Sequence, residues 1–260
     1  MQNTVEITQS DLLVKPWMKS AMRRLPGVQP LDIKDWILVD DAYARQMAYR
    51  DHLMTNKPEA VLATCSEASD AVAELLDVLL SHLNTVDGYE VQDKRMKRPD
   101  GEFVPTDHYG QMETIGRLLQ QDFCVLNKTG DEHVLKAAAL CFPASWRLDQ
   151  KIGKPLGAIH SPVSSYDAVL ARKVQKMLDL MRPEQALWRA NCLIYSNPDL
   201  FQPQRRIDRP DLYGAQKWVR VERQTLRKLP QTGAVVFGIH TSQVRLDSLP
   251  EDAQKEVLGG

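Results

Sequence analysis

The residues in this chain best suited to holding an anion, a metal or a flat ligand lie in a few short stretches. The segment Arg220-Val-Glu-Arg-Gln-Thr-Leu-Arg-Lys-Leu-Pro230 and the following Gln-Thr-Gly-Ala-Val-Val-Phe-Gly-Ile-His-Thr241 read as strand, turn and strand. Strand side chains alternate between faces, so Val219, Val221, Arg223 and Thr225 share one side. If the valines mark the inner side, Arg223 points a permanent cation inward, where it needs an anion or strong acceptors. A structural ion pair and a ligand contact account for it equally well. On the returning strand, Gly238 marks a place where a ligand or backbone approaches closely, and His240 faces the same way.

Five other positions carry candidate chemistry. His160 ends a short apolar stretch, where its imidazole is either a metal ligand oriented by an acceptor on its second nitrogen or a core histidine bonded to backbone. Trp146 and Arg147 leave a strand after Phe142-Pro143, as packing or as a pocket rim meeting a carboxylate. Arg189 and Asn191 share a strand face, either as satisfied edge polars or as ligand contacts. No HExxH, GxSxG, P-loop or GxGxxG motif occurs, so zincin, serine-hydrolase and nucleotide-binding readings lack their signature residues.

Composition narrows the classes further. The chain has 260 residues, 43% hydrophobic and 26% charged, which suits a globular protein with an ample core. A net charge of −1 argues against electrostatic nucleic-acid binding, and the basic clusters at 94–98 and 205–209 read as solvated loops. No apolar run is long enough to span a bilayer, and no basic-then-apolar leader opens the sequence. The scattered Cys65, Cys124, Cys141 and Cys192 show no CxxC spacing, which fits reduced thiols and a cytoplasmic setting.

These residues must be positioned by a mixture of helices and strands. Residues 1–30 read as an irregular segment, 31–250 as one domain and 251–260 as a tail. Helical periodicity marks 42–54, with Asp40 and Asp41 as candidate caps, and 111–119. It is clearest over 68–83, where Val72, Leu75, Leu76, Leu79 and Leu80 recur at helical spacing, and again over 167–181. Residues 85–106 read as a polar excursion. Strands are predicted at 123–126 and 134–142, forming a hairpin, then at 187–195 and in the terminal hairpin. Strands grouped around segregated helices predict an α+β fold with an antiparallel sheet.

Taken together, the segments Leu118-Leu-Gln-Gln-Asp-Phe-Cys124, Cys141-Phe-Pro-Ala-Ser-Trp146, Lys151-Ile-Gly-Lys-Pro-Leu-Gly-Ala-Ile-His-Ser-Pro-Val163, Trp188-Arg-Ala-Asn191 and Val221-Glu-Arg-Gln-Thr-Leu-Arg-Lys-Leu-Pro230 resemble one family. Leu31-Asp-Ile-Lys-Asp-Trp36 and Asp41-Ala-Tyr-Ala-Arg45 extend the likeness. This is the α subunit of the haem-dependent oxidative N-demethylases, the haem-binding subunit of dimethylamine monooxygenase. The resemblance covers residues 25–248. It departs from the family pattern at Ala144-Ser145, Cys192 and Ser242.

The resemblance implies a PAS-like antiparallel sheet with flanking helices, an N-terminal helical extension and one haem b. It implies His160 as the proximal iron ligand and Arg223 as the catalytic donor on the opposite, oxygen-binding side of the ring. Arg189, Trp146, Gly238 and His240 are the remaining candidates for contacts with the cofactor. The implied reaction removes a methyl group from a small secondary amine such as dimethylamine. It uses O2 and electrons from a separate reductase, because the chain shows no flavin, nicotinamide or iron–sulfur motif. A haem-binding gas or redox sensor without turnover is the alternative.

Overall fold

The computed structural model describes residues 6–23, 25–161, 166–204 and 214–259. The basic cluster at 205–209 and Pro162 lie outside the described residues. The chain is a mixed α+β fold whose main sheet is antiparallel throughout. Its strands are β1 (Gln29–Leu31), β2 (Leu62–Thr64), β6 (Asp122–Thr129), β7 (Glu132–Ala139), β8 (Ala186–Tyr195), β9 (Trp218–Lys228) and β10 (Val235–Arg245), in the spatial order β1-β8-β9-β10-β6-β7-β2. The predicted excursion over 85–106 holds a separate three-stranded sheet of β3 (Glu90–Gln92), β4 (Arg95–Lys97) and β5 (Phe103–Pro105). Its strands are too short for a periodic signal. Arg98, just after β4, is not solvated: it is 3% exposed and paired with Asp51 at 2.9 Å and Asp100 at 2.7 Å.

Helices α1 (Tyr43–Asn56), α3 (Ser69–Leu83) and α4 (Gln111–Leu118) fall where periodicity predicts them, with the short α2 (Pro58–Val61) leading into β2. Asp40 accepts from Ala42 N at 3.0 Å just before α1, but the N-cap residue is Ala42 and neither Asp40 nor Asp41 caps the first turn of the helix with its side chain. The apolar stripe of α3 (Val72, Leu75, Leu76, Leu79) is buried with Trp36, Ile115, Leu118 and the sheet residues Phe123, Val125, Ala137, Ala139 and Val236. This is one face of the sheet, here the Trp36 face. Farther along it, Val219, Val221, Ala190 and Val244 are covered by Leu12, Trp17 and Met22 of the N-terminal segment and by Leu249. The C-terminal residues continue as helix α7 (Glu251–Gly259).

The opposite face carries Cys124, Leu126, Leu135, Ala138, Val235, Phe237 and Ile239. It is covered by α5 (Leu156–His160) and α6 (Ala168–Leu180), both inserted between β7 and β8. Asp167 starts α6, its carboxylate accepting from Leu170 N at 2.7 Å. The helix is then tied to the hairpin by Lys128 to Asp179 at 2.7 Å and by His133 to Gln175 at 2.8 Å. No helix among the described residues is long and apolar enough to cross a membrane.

Candidate functional site

Strand register sorts the candidate residues onto the two faces. Directly paired residues of antiparallel strands project to the same side. The pairs Arg189–Gln224, Asn191–Glu222, Leu187–Leu226 and Leu226–Phe237 therefore point toward α6. Arg223 pairs with Ala190 and His240, and Thr225 pairs with Trp188 and Gly238, so all of these lie on the Trp36 face.

His160 closes α5, one residue beyond Ile159, which packs in the cluster on the α6 side. Its Nδ1 lies 2.9 Å from the Leu156 carbonyl oxygen. A carbonyl only accepts, so Nδ1 carries the hydrogen and the lone pair of the neutral ring is on Nε2. Burial holds its pKa below the usual histidine value; the Leu156 hydrogen bond opposes this and the Lys151 charge adds to it. The ring stacks on Tyr166 with centroids 4.5 Å apart and planes at 23°.

The apolar layer between α6 and the sheet, next to His160, is incompletely buried. Val174 and Met177 of α6 and Leu187, Leu226 and Phe237 of the sheet are all half-buried, although they face one another across the same apolar cluster. Trp146 packs into this cluster too, at the strand exit. Arg147 instead pairs with Asp149 at 2.5 Å in its own exposed loop. Polar groups line the far side of this layer. Arg189 Nη1 donates to Gln224 Oε1 at 3.0 Å, while its Nε is buried with no partner among the described residues. Burial lowers its pKa, partly opposed by Glu222. Asn191 donates to Glu222 at 3.2 Å and leaves its Oδ1 buried and unpartnered. Glu222 is itself held by the fully buried Arg220 at 3.2 Å.

Arg223 does not meet His160. The alternation that points Arg223 inward sends it through the sheet to the Trp36 face, whereas α5 covers the other side. There its Nη2 donates to the Asp35 carbonyl at 2.5 Å and Nη1 to the Trp36 carbonyl at 3.4 Å, with the guanidinium 5.6 Å from the Trp188 ring centroid. Burial pushes its pKa down to about 10, opposed by the nearby Asp35 charge. It lines a separate cleft of about 340 Å³ with Leu31, Asp35, Leu38 and Trp188.

Gly238 and His240 are likewise on the face away from α5 and serve packing there. A Cβ on Gly238 would lie 2.6 Å from Thr225 Oγ1 and 3.2 Å from the Phe123 ring, so the close approach is to side chains and not to a flat ligand. His240 Nε2 is 2.9 Å from Asp40, both side chains being buried. Of the six candidates, the structure thus gathers His160, Trp146 and Arg189 on one side and Arg223, Gly238 and His240 on the other. Sequence reasoning missed Gln224, Glu222 and Tyr166. Applying alternation from Arg189 and Asn191 to the neighbouring strand would have found the first two.

These features define a class: an α+β domain whose antiparallel sheet is covered on both faces, with a cleft beside Arg223 on one and an incompletely buried apolar layer beneath α6 on the other. The family follows from comparison of the whole chain. The family model described as haem-dependent oxidative N-demethylase, alpha subunit-like, matches residues 27–259, and the chain belongs to that family.

Proposed function

We propose that the groove between α6 and the sheet holds haem b, with His160 Nε2 as the protein ligand to iron. The observation that carries this reading is the commitment of Nδ1 to the Leu156 carbonyl, beside an apolar layer between α6 and the sheet that is incompletely buried. The donor set fits a porphyrin. Among the described residues no group of three or more His, Cys, Asp or Glu converges, so a metal at His160 must bring its other ligands with it. Arg189, with a buried Nε lacking an acceptor, suits a carboxylate of the same group, and Trp146 would border its rim. The five neighbouring strands β7-β6-β10-β9-β8, with α5 and α6 inserted between β7 and β8, support a PAS-like reading of the core.

The family description supports haem-dependent oxidative N-demethylation; the substrate in our reading is a small secondary amine such as dimethylamine, converted to formaldehyde and the primary amine. When bound, the haem supplies the redox-active iron at which O2 is reduced and an N-methyl group oxidised. The chain's own residues prepare the site. Burial lowers the pKa of His160, which favours the neutral ring, and Leu156 fixes its tautomer and orientation. Asn191 Oδ1 and Glu222 present acceptors to an amine N–H at the polar end. The family's alpha-subunit-like description supports a partner subunit, and in our reading electrons come from a separate reductase.

The absorption spectrum of the purified protein titrated with haem tests the first claim. A Soret band that is saturable in wild type and shifted or lost in His160→Ala is expected; identical spectra overturn the ligand assignment. Formaldehyde release from dimethylamine with a reductant then separates catalysis from haem binding alone.

A further inference from the structure

We propose that the Trp36 face carries a second site, for a small oxyanion, built around Arg227. It does not depend on the haem reading. Arg227 follows Arg223 and Thr225 by strand alternation and lies on the side of the sheet away from His160. Its guanidinium carbon sits 4.4 Å from the centroid of the Trp36 ring, and the His82 ring lies 5.4 Å from the same indole. Trp36 is completely buried.

The stacking of a cation on an indole explains where Arg227 lies, but not what its N–H groups bond to. Arg227 Nε and Nη1, Trp36 Nε1 and His82 Nε2 are all buried and have no hydrogen-bond partner among the described residues. The arginine and indole nitrogens can only donate. A buried donor left unmade is costly, and native proteins rarely keep several side by side. A single water accepts at most about two hydrogen bonds, fewer than the four N–H bonds on Arg227 Nε and Nη1 and Trp36 Nε1, and cannot balance the charge. A carboxylate or phosphate oxygen set accepts several and neutralises the guanidinium. Burial lowers the pKa of Arg227, and burial followed by the Arg227 charge lowers that of His82. These are the directions expected of cationic groups buried without a paired anion.

The test is calorimetric titration of the full chain with sodium phosphate and, separately, sodium acetate, at ionic strength fixed with sodium chloride. Saturable binding of at least one is expected, with affinity reduced ~10-fold or more by Arg227→Gln, as loss of a charge-assisted donor implies. Acetate alone would assign a carboxylate ligand, phosphate alone a phosphate. Trp36→Phe keeps the ring and removes only its N–H, so it serves if Arg227→Gln does not fold; it should weaken binding severalfold and leave the sheet intact by circular dichroism. His160→Ala should bind the anion normally, which separates failure of this site from failure of the haem groove. No saturable heat with either anion, or wild-type affinity in both Arg227→Gln and Trp36→Phe, overturns the proposal.

Discussion

Asp122 concentrates more bonding than any other single carboxylate in the main sheet. Its oxygens accept from Arg50 Nη1 at 2.5 Å, Cys141 N at 2.7 Å and Phe142 N at 2.9 Å, and the Arg50 and Asp122 side chains are 0% and 1% exposed. Removing one partner of such a pair leaves a bare buried charge, which costs more than the pair contributes. Asp122→Ala is therefore expected to lower stability by ~3–5 kcal/mol in urea unfolding, the range for broken buried ion pairs. A loss below ~1 kcal/mol would mean that Arg50 finds water or another acceptor. Asp40 makes a pH-dependent contribution. Burial alone would raise its pKa, but hydrogen bonds from His240, Gln120 and Gln9, with the His240 charge, outweigh burial and lower it. A carboxyl lowered on folding stabilises the protein fully above its unfolded value, near ~4, and the contribution disappears as pH falls through the folded value. Asp40→Asn should cost ~1–3 kcal/mol at pH 7, as for an orphaned buried partner. The gap from wild type should close as pH drops below ~4; a gap that stays constant would contradict the assignment.

Elements are positioned by close approaches that single residues permit. Gly238 allows β10 to lie against Thr225 and Phe123, with no room for a methyl group. Gly238→Ala is expected to destabilise by ~1–3 kcal/mol, as overpacking does. Gly238→Ala combined with Thr225→Ser, which leaves the clashing hydroxyl in place, should not recover it, whereas Thr225→Ala should recover part. Thermal unfolding of the three variants decides. The same glycine shows how far the sequence was legible. Its spacing correctly signalled close approach, yet nothing local says whether the approaching atoms belong to the protein or to a ligand. Helices α1, α3, α4 and α6 were readable because each buries one stripe. The 122–139 hairpin was readable from its apolar runs, and the terminal hairpin from the turn residues Pro230, Thr232 and Gly233 and the β-rich run that follows them. Illegible were β1 to β5, each three residues long, and α5, whose single turn has no period. The face of Arg223 was misjudged for a related reason. Alternation fixes which residues share a side, but which helices cover that side depends on contacts between residues far apart in the chain.

At the scale of the whole molecule, the two faces of the sheet are finished differently. The Trp36 face is covered by α3, α4, the N-terminal segment and the residues leading into α7, so its sheet residues Val219, Val221, Val236 and Val244 are at most 1% exposed. The α6 face is closed over β6 and β7 but leaves Leu187, Leu226 and Phe237 half-exposed beneath Val174 and Met177. Apolar side chains left partly exposed on both sides of this layer have contact area that a flat apolar group could still bury. Haem added to the purified chain should therefore stabilise it by mass action, by ~2.7 kcal/mol at a hundredfold excess over Kd. That corresponds to a rise in Tm of roughly 5–10 °C for a domain of this size. The location of the effect discriminates more sharply than its size. Amide hydrogen exchange should slow in α5, α6, β8 and β9, whose residues wall the groove, in excess of any uniform slowing from global stability. The small sheet of β3, β4 and β5 has no wall in the groove and should show only the uniform part. Protection gained chiefly around Trp36 and α3 would place the bound group on the opposite side of the sheet and remove His160 as its ligand.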